Sequence, residues 1–154
     1  MKNITITLYE YSELSAEAQK KVLTDLADIN VFFDWWDSTY EDAERIGLKI
    51  TGFGLDENKH CKGEFALPAK VVAERILIEH GEVCNTYAAA ERFLAGQDNI
   101  GNGIEEDIFL NELLRAYANI LQEESIYLLG EEAVIATIEA NDYWFMEDGT
   151  EFKN

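Results

Sequence analysis

Hydrophobic and polar positions change period several times along this chain of 154 residues, and each change predicts an element. Ile4, Ile6 and Leu8 alternate with Thr5, Thr7 and Tyr9, a period of two that predicts a strand. Ser15 then stands where an N-cap belongs, with Glu17 in the first turn. Ala18, Val22, Leu26 and Ile29 follow at helical spacing, predicting a helix over 15–29. Phe32-Phe33-Asp34-Trp35-Trp36-Asp37 opens a second helix. It places Trp36, Tyr40 and Ala43 on one face, Asp34, Asp37, Glu41 and Glu44 on the other, and Gly47 at its end.

Residues 48–55 and 61–67 read as two strands joined by the turn Asp56-Glu57-Asn58-Lys59. Pro68 suits the first turn of a helix that carries Val71, Val72, Ile76 and Leu77 and stops at Gly81. A short helix is expected over 86–95, a loop over 97–103, a long helix over 104–128 and another over 131–140. Tyr143 to Met146 reads as a last strand. The apolar positions of 104–128 cover more than one stripe, so that helix is expected to be central. The order predicts an α+β fold: one small, largely antiparallel sheet of about four strands against about six helices. There are no internal repeats, and a single domain over 1–154 is expected.

Composition supports a packed core. Hydrophobic residues make up 47% of the chain, with 8 Phe, 7 Tyr and 3 Trp, too apolar for a disordered acidic tail. No apolar run suits a signal peptide or a membrane span, and Cys61 and Cys84 read as reduced thiols, so a cytoplasmic setting is expected.

Charge changes the picture most. Asp and Glu number 31 against 12 Lys and Arg, a net charge of −19. The surplus is uneven: residues 97–154 hold 14 acids and 2 bases, whereas residues 48–96 hold 7 and 6. Such a chain excludes phosphate and favours basic partners. On the long helix, Glu105, Glu112, Asn119 and Glu123 fall within a narrow angular range, and the glutamates span about 27 Å at 1.5 Å per residue. A solvated face ordinarily mixes signs. This stripe is therefore the candidate partner-binding surface, with carboxylates standing in for spaced phosphates.

Chemistry-bearing patterns are sparse. His60-Cys61 and His80-x-x-x-Cys84 carry metal-ligand residue types, but His60 and Cys61 are adjacent on a strand and point to opposite faces. They read as two small buried thiols, a turn histidine and a helix-end histidine. Glu10, Glu64 and Glu139 are the carboxylates set among apolar residues that a small hydrolase would use. No calcium loop and no glycine-rich phosphate loop occurs. Phe32, Phe33, Trp35, Trp36, Tyr40, Tyr143 and Trp144 lack the basic groove of a base-stacking platform and read as core. No catalytic, cofactor or metal residue is assigned.

Leu8-Tyr9-Glu10-Tyr11-Ser12-Glu13-Leu14-Ser15-x-Glu17-Ala18, Asp34-Trp35-Trp36, Tyr40-Glu41-Asp42-Ala43, Gly47-Leu48-Lys49-Ile50-Thr51-Gly52-Phe53, Gly63-Glu64-Phe65 and His80-Gly81-Glu82 carry a family resemblance. The chain resembles a family of small acidic bacteriophage and mobile-element proteins, mostly uncharacterised, some labelled as antitoxins of toxin–antitoxin systems. The resemblance spans most of the chain and implies no catalytic residues. It implies a mobile-element setting, where acidic proteins block host nucleic-acid-binding defences. The expected function is thus non-enzymatic: binding a basic host nuclease, CRISPR effector or restriction complex as an anti-CRISPR or anti-restriction protein. The alternatives are an antitoxin masking a basic RNase and a small enzyme with an acidic pocket. No direct contact with nucleic acid or membrane is expected. A homodimer through the Tyr143–Met146 strand edge is a further expectation.

Overall fold

The computed structural model describes residues 1–96 and 103–153, and the loop expected over 97–103 lies almost wholly outside them. The fold is α+β. Among the described residues six α-helices form: α1 (Ala16–Asp25), α2 (Asp37–Ile46), α3 (Ala69–Glu79), α4 (Asn85–Ala95), α5 (Gly103–Leu129) and α6 (Glu131–Ala140). Its strands are β1 (Leu48–Gly54), β2 (His60–Phe65), β3 (Trp144–Phe145) and β4 (Glu151–Phe152). They form two separate antiparallel pairs, β1–β2 and β3–β4, instead of one sheet of four. Contacts divide the chain into two units, residues 1–35 with 125–154 and residues 36–124. Among the described residues no helix is long and apolar enough to cross a membrane.

In the first unit, the Ser15 side chain accepts from the Ala18 amide at 3.2 Å and caps α1 as expected. The helix stops at Asp25, and the chain continues in single turns, with Ile29 bonded to Leu26 and Val31 to Asp28. α1 packs against α6, and Tyr11, Leu14, Ala18, Val22, Val134, Ile138 and Phe145 form one apolar cluster. The strand expected at Ile4–Leu8 is not formed. Only Tyr9 bridges, to Phe145, and Ile4 is 80% exposed. Alternation supplies a sheet face, but the ladder needs a neighbour, and β3 is too short to run beside residues 4–8. β3 itself is flanked on both sides, by Tyr9 and by β4, so the Tyr143–Met146 edge is not open at Phe145.

In the second unit, α2 starts at Asp37, not at Phe32, because residues 32–35 form turns and bends. Trp36 and Tyr40 stack edge-on to Phe53, with centroids 5.4 and 6.2 Å away, as core packing requires. Phe32 and Phe33, by contrast, are 82% and 73% exposed and pack edge-to-face on each other. α2 ends at Gly47, whose φ of +90° suits glycine, and a Cβ there would lie 2.7 Å from Leu67. β1 buries Leu48 and Ile50 and exposes Lys49 and Thr51, an alternation set by its pairing with β2. α3 packs on α4 and α2. From α5, Phe109, Leu113, Tyr117 and Leu121 are buried, and Phe109 stacks on Phe93 of α4 at 4.5 Å.

Candidate functional site

The acidic stripe on α5 lies within the second unit. Glu105 and Glu112 line a shallow cleft of about 170 Å³ against Arg92 and Phe93 of α4. Asn119 and Glu123 line a second groove, of about 390 Å³, whose other wall includes Asp42, His80 and Cys84. The stripe is not bare. Arg92 donates to Glu112, and Lys59 Nζ donates to Asn119 at 2.5 Å and to Gln122 at 3.1 Å. Glu105 is half-buried, and its carboxylate comes against Gly96. Glu123 is exposed at the groove's rim. Glu112 and Asn119 thus engage bases of the chain itself.

The groove rests on a polar network that sequence reasoning did not assemble. His80 caps the C-terminus of α3, where the helix stops ahead of Gly81, and its side chain is only 9% exposed. Its Nε2 lies 3.0 Å from Asp42 Oδ2 on α2, and its Nδ1 lies 2.6 Å from Thr86 Oγ1 on α4. The buried Tyr117 of α5 donates its hydroxyl to the same Asp42 oxygen at 2.8 Å, and Arg45 donates to the other oxygen at 3.1 Å. Asp42, acceptor-only when ionised, requires Nε2 to carry a proton. In the neutral ring Nδ1 then accepts from Thr86. The network joins α2, α4 and α5 to the end of α3.

The electrostatics follow from these bonds. Hydrogen bonding from His80, with help from Tyr117 and Arg45, holds the Asp42 carboxyl well below the usual carboxylate range against the effect of its partial burial. Burial first, and the Asp42 carboxylate second, push the Tyr117 phenol far up. Thr86, His80 and Asp42 stand in the order of a nucleophile, base and acid. Thr86 is only 2% exposed, although it lines the same groove as Asp42 and His80, and its hydroxyl ties α4 to the end of α3.

The remaining candidates fall as follows. Cys61 is buried, and burial pushes its thiol up to about 11. Cys84 is exposed at the N-cap of α4, contrary to the expected buried thiol, because an N-cap side chain leaves the helix toward solvent here. His60 is exposed and Cys61 buried, on opposite faces of β2. Among the described residues no three His, Cys, Asp or Glu side chains are grouped to hold a metal ion. Glu10 and Glu139 share a cleft of about 330 Å³ in the first unit with Tyr11 and Trp144, whereas Glu64 belongs to the other unit. Both cleft carboxylates are exposed, and Glu10 is engaged in a capping box with Glu13, so neither has the dry pocket of a general acid.

No sequence signal marks the network. Asp42 lies 38 residues from His80 and 75 from Tyr117. It sits among Glu41 and Glu44, which resemble it in composition. Comparison with protein-family models, curated proteins and solved structures finds no match for this chain.

Proposed function

We propose that this chain is an acidic interaction protein that binds and blocks a basic, nucleic-acid-binding host defence protein, presenting carboxylates where that partner expects phosphates. One observation carries the reading: acids outnumber bases 31 to 12, so the ion pairs that form leave most carboxylates without a cation. Lys21 pairs with Asp25, Arg45 with Asp42, Arg92 with Glu112, Lys153 with Glu151, and Lys59 bonds Asn119 and Gln122. The surface is left with a negative field that steers a basic partner and raises its on-rate. The family resemblance supports a mobile-element setting, and a basic RNase toxin would be drawn to the same surface.

The docking face is placed on α5, with Glu105, Glu112, Asn119 and Glu123 at its centre. The test is capture from host lysate at low salt, elution by a salt gradient, and assay of the captured protein for nucleic-acid binding. A basic protein that releases its DNA or RNA on stoichiometric addition of this chain is the expected result. A captured protein that holds nucleic acid and this chain together would refute blocking. Capture of no nucleic-acid-binding protein would refute the partner class.

A further inference from the structure

We propose that residues 3–9 form a self-complementary seam, through which two copies of this chain pair as antiparallel strands about a two-fold axis at Ile6. The inference stands apart from the proposed function and rests on the first unit alone. The backbone of residues 1–8 makes no hydrogen bond with any described residue, although Ile4-Thr5-Ile6-Thr7-Leu8 has a strong strand pattern. Ile4 and Ile6 are 80% and 51% exposed. An unpaired segment of this kind is a template for strand addition.

The existing bridge decides which edge is open. Tyr9 donates its N–H to Phe145 at 2.8 Å and accepts from the Phe145 N–H at 2.9 Å. Backbone groups in a strand alternate between edges. Carried back from Tyr9, those of Thr5 and Thr7 lie on the β3 side, and those of Ile4, Ile6 and Leu8 on the open side. A second copy therefore pairs through the even positions. With Ile6 opposite Ile6, Ile4 faces Leu8, Thr5 faces Thr7, and Lys2 faces Glu10. Registers centred on Ile4 or Leu8 instead set Ile6 against Lys2 or Glu10, and those centred on Thr5 or Thr7 set Lys2 against Leu8 or Ile4 against Glu10. The Ile6 register alone matches apolar with apolar, hydroxyl with hydroxyl and cation with anion.

Charge points to the same occupant. Each copy carries −19, so most surfaces of two copies repel. Residues 1–9 contain no Asp or Glu, and their one charged side chain is Lys2. The seam is thus a stretch at which copies can meet without opposing carboxylates, and Lys2–Glu10 occurs twice across the axis. One strand pair is a small interface, so dissociation constants on the order of micromolar are expected.

The test is sedimentation velocity across roughly 1 µM to 1 mM, spanning that affinity. The wild-type chain is expected to pass from monomer to dimer. Ile6→Pro should weaken the dimer about 100-fold or more, since each copy loses a donor on the axis. Its melting temperature should hold, because Ile6 is exposed and outside the apolar cluster. Register is read by oxidation in a Cys84→Ser background. Ile6→Cys should cross-link to itself, because opposed Cα atoms there lie about 5.5 Å apart. Ile4→Cys, facing Leu8, should not. Monomer throughout, a dimer indifferent to Ile6→Pro, or equal cross-linking at Ile4 and Ile6 would each overturn the proposal.

Discussion

The two units of this molecule solve the problem of polar groups in opposite ways. Residues 36–124 draw a carboxylate partly inside and surround it: Asp42 accepts from His80, Tyr117 and Arg45, and His80 in turn meets Thr86. The unit of residues 1–35 and 125–154 packs an apolar cluster and confines its internal polar bonds to neutral groups. Asn30 donates to the Leu128 carbonyl at 3.0 Å and accepts from Thr137 at 2.6 Å, and Gln19 donates to the Tyr11 carbonyl. In a chain with so many carboxylates, one Asp has thus become structural while its neighbours stay solvated. The difference lies in partners, not residue type. A carboxylate is stable away from water only where donors meet it.

The contrast predicts different costs. Phe145→Ala removes a fully buried ring from the apolar cluster and should cost about 3–5 kcal/mol, measured by urea unfolding. A loss under about 1 kcal/mol would show that the cluster does not hold the first unit. Asp42→Ala should cost about 2–4 kcal/mol, because it leaves the Tyr117 hydroxyl and the His80 ring without their acceptor. Tyr117→Phe, which removes only a hydroxyl, should cost about 1 kcal/mol. If it matches Asp42→Ala, the network's value lies in the phenol and not in the carboxylate.

Acid separates the units further. The folded-state pKa of Asp42 is depressed, so its contribution is fully present above the ordinary carboxylate pKa of about 4 and is lost as pH falls below that. Wild type and Asp42→Asn should therefore differ at neutral pH and converge in strong acid. Parallel curves down to about pH 2 would remove Asp42 from the account.

Smaller effects test the surface. Melting temperature should rise with sodium chloride as screening relieves repulsion among exposed acids, and a flat or falling trend would mean that attractive pairs dominate. The smallest stability change is expected for Glu123→Lys, within about 0.5 kcal/mol. In the triple reversal of Glu105, Glu112 and Glu123, binding to a basic partner should fall with the fold retained. Reversal of Asp37, Glu41 and Glu44 is the control. Loss in both sets would indicate non-specific attraction, and loss in the control alone would place the docking face elsewhere.

Much of the fold was legible because its signals are local. Ser15 caps α1, Gly47 ends α2 in the left-handed region, and α3, α4, α5 and α6 lie close to where helical spacing puts them. The failures share a cause. Ile4–Leu8 carries the pattern of a strand but finds no neighbour among the described residues. Phe32 and Phe33 carry the composition of a core but sit in turns that leave them in solvent. The Asp42 network depends on residues far apart in sequence, and its members look like any exposed acid or helix-end histidine. For the candidate site, the α5 stripe was readable from spacing, but Arg92 and Lys59 beside it were not, since α4 and the β1–β2 turn supply them from a distance.

The first unit is discontinuous: its halves are separated in the chain by all of residues 36–124. A ribosome adds about 5–20 residues per second, so roughly 5–20 s pass between the emergence of Val22 and that of Val134 and Ile138, which later cover it. During that interval the inserted unit, contiguous in sequence, can complete itself while the apolar face of α1 waits uncovered. Nascent chains that stop short of residue 134 are therefore expected to be cut at α1 sooner than the complete chain, and limited proteolysis of ribosome-stalled chains checks this.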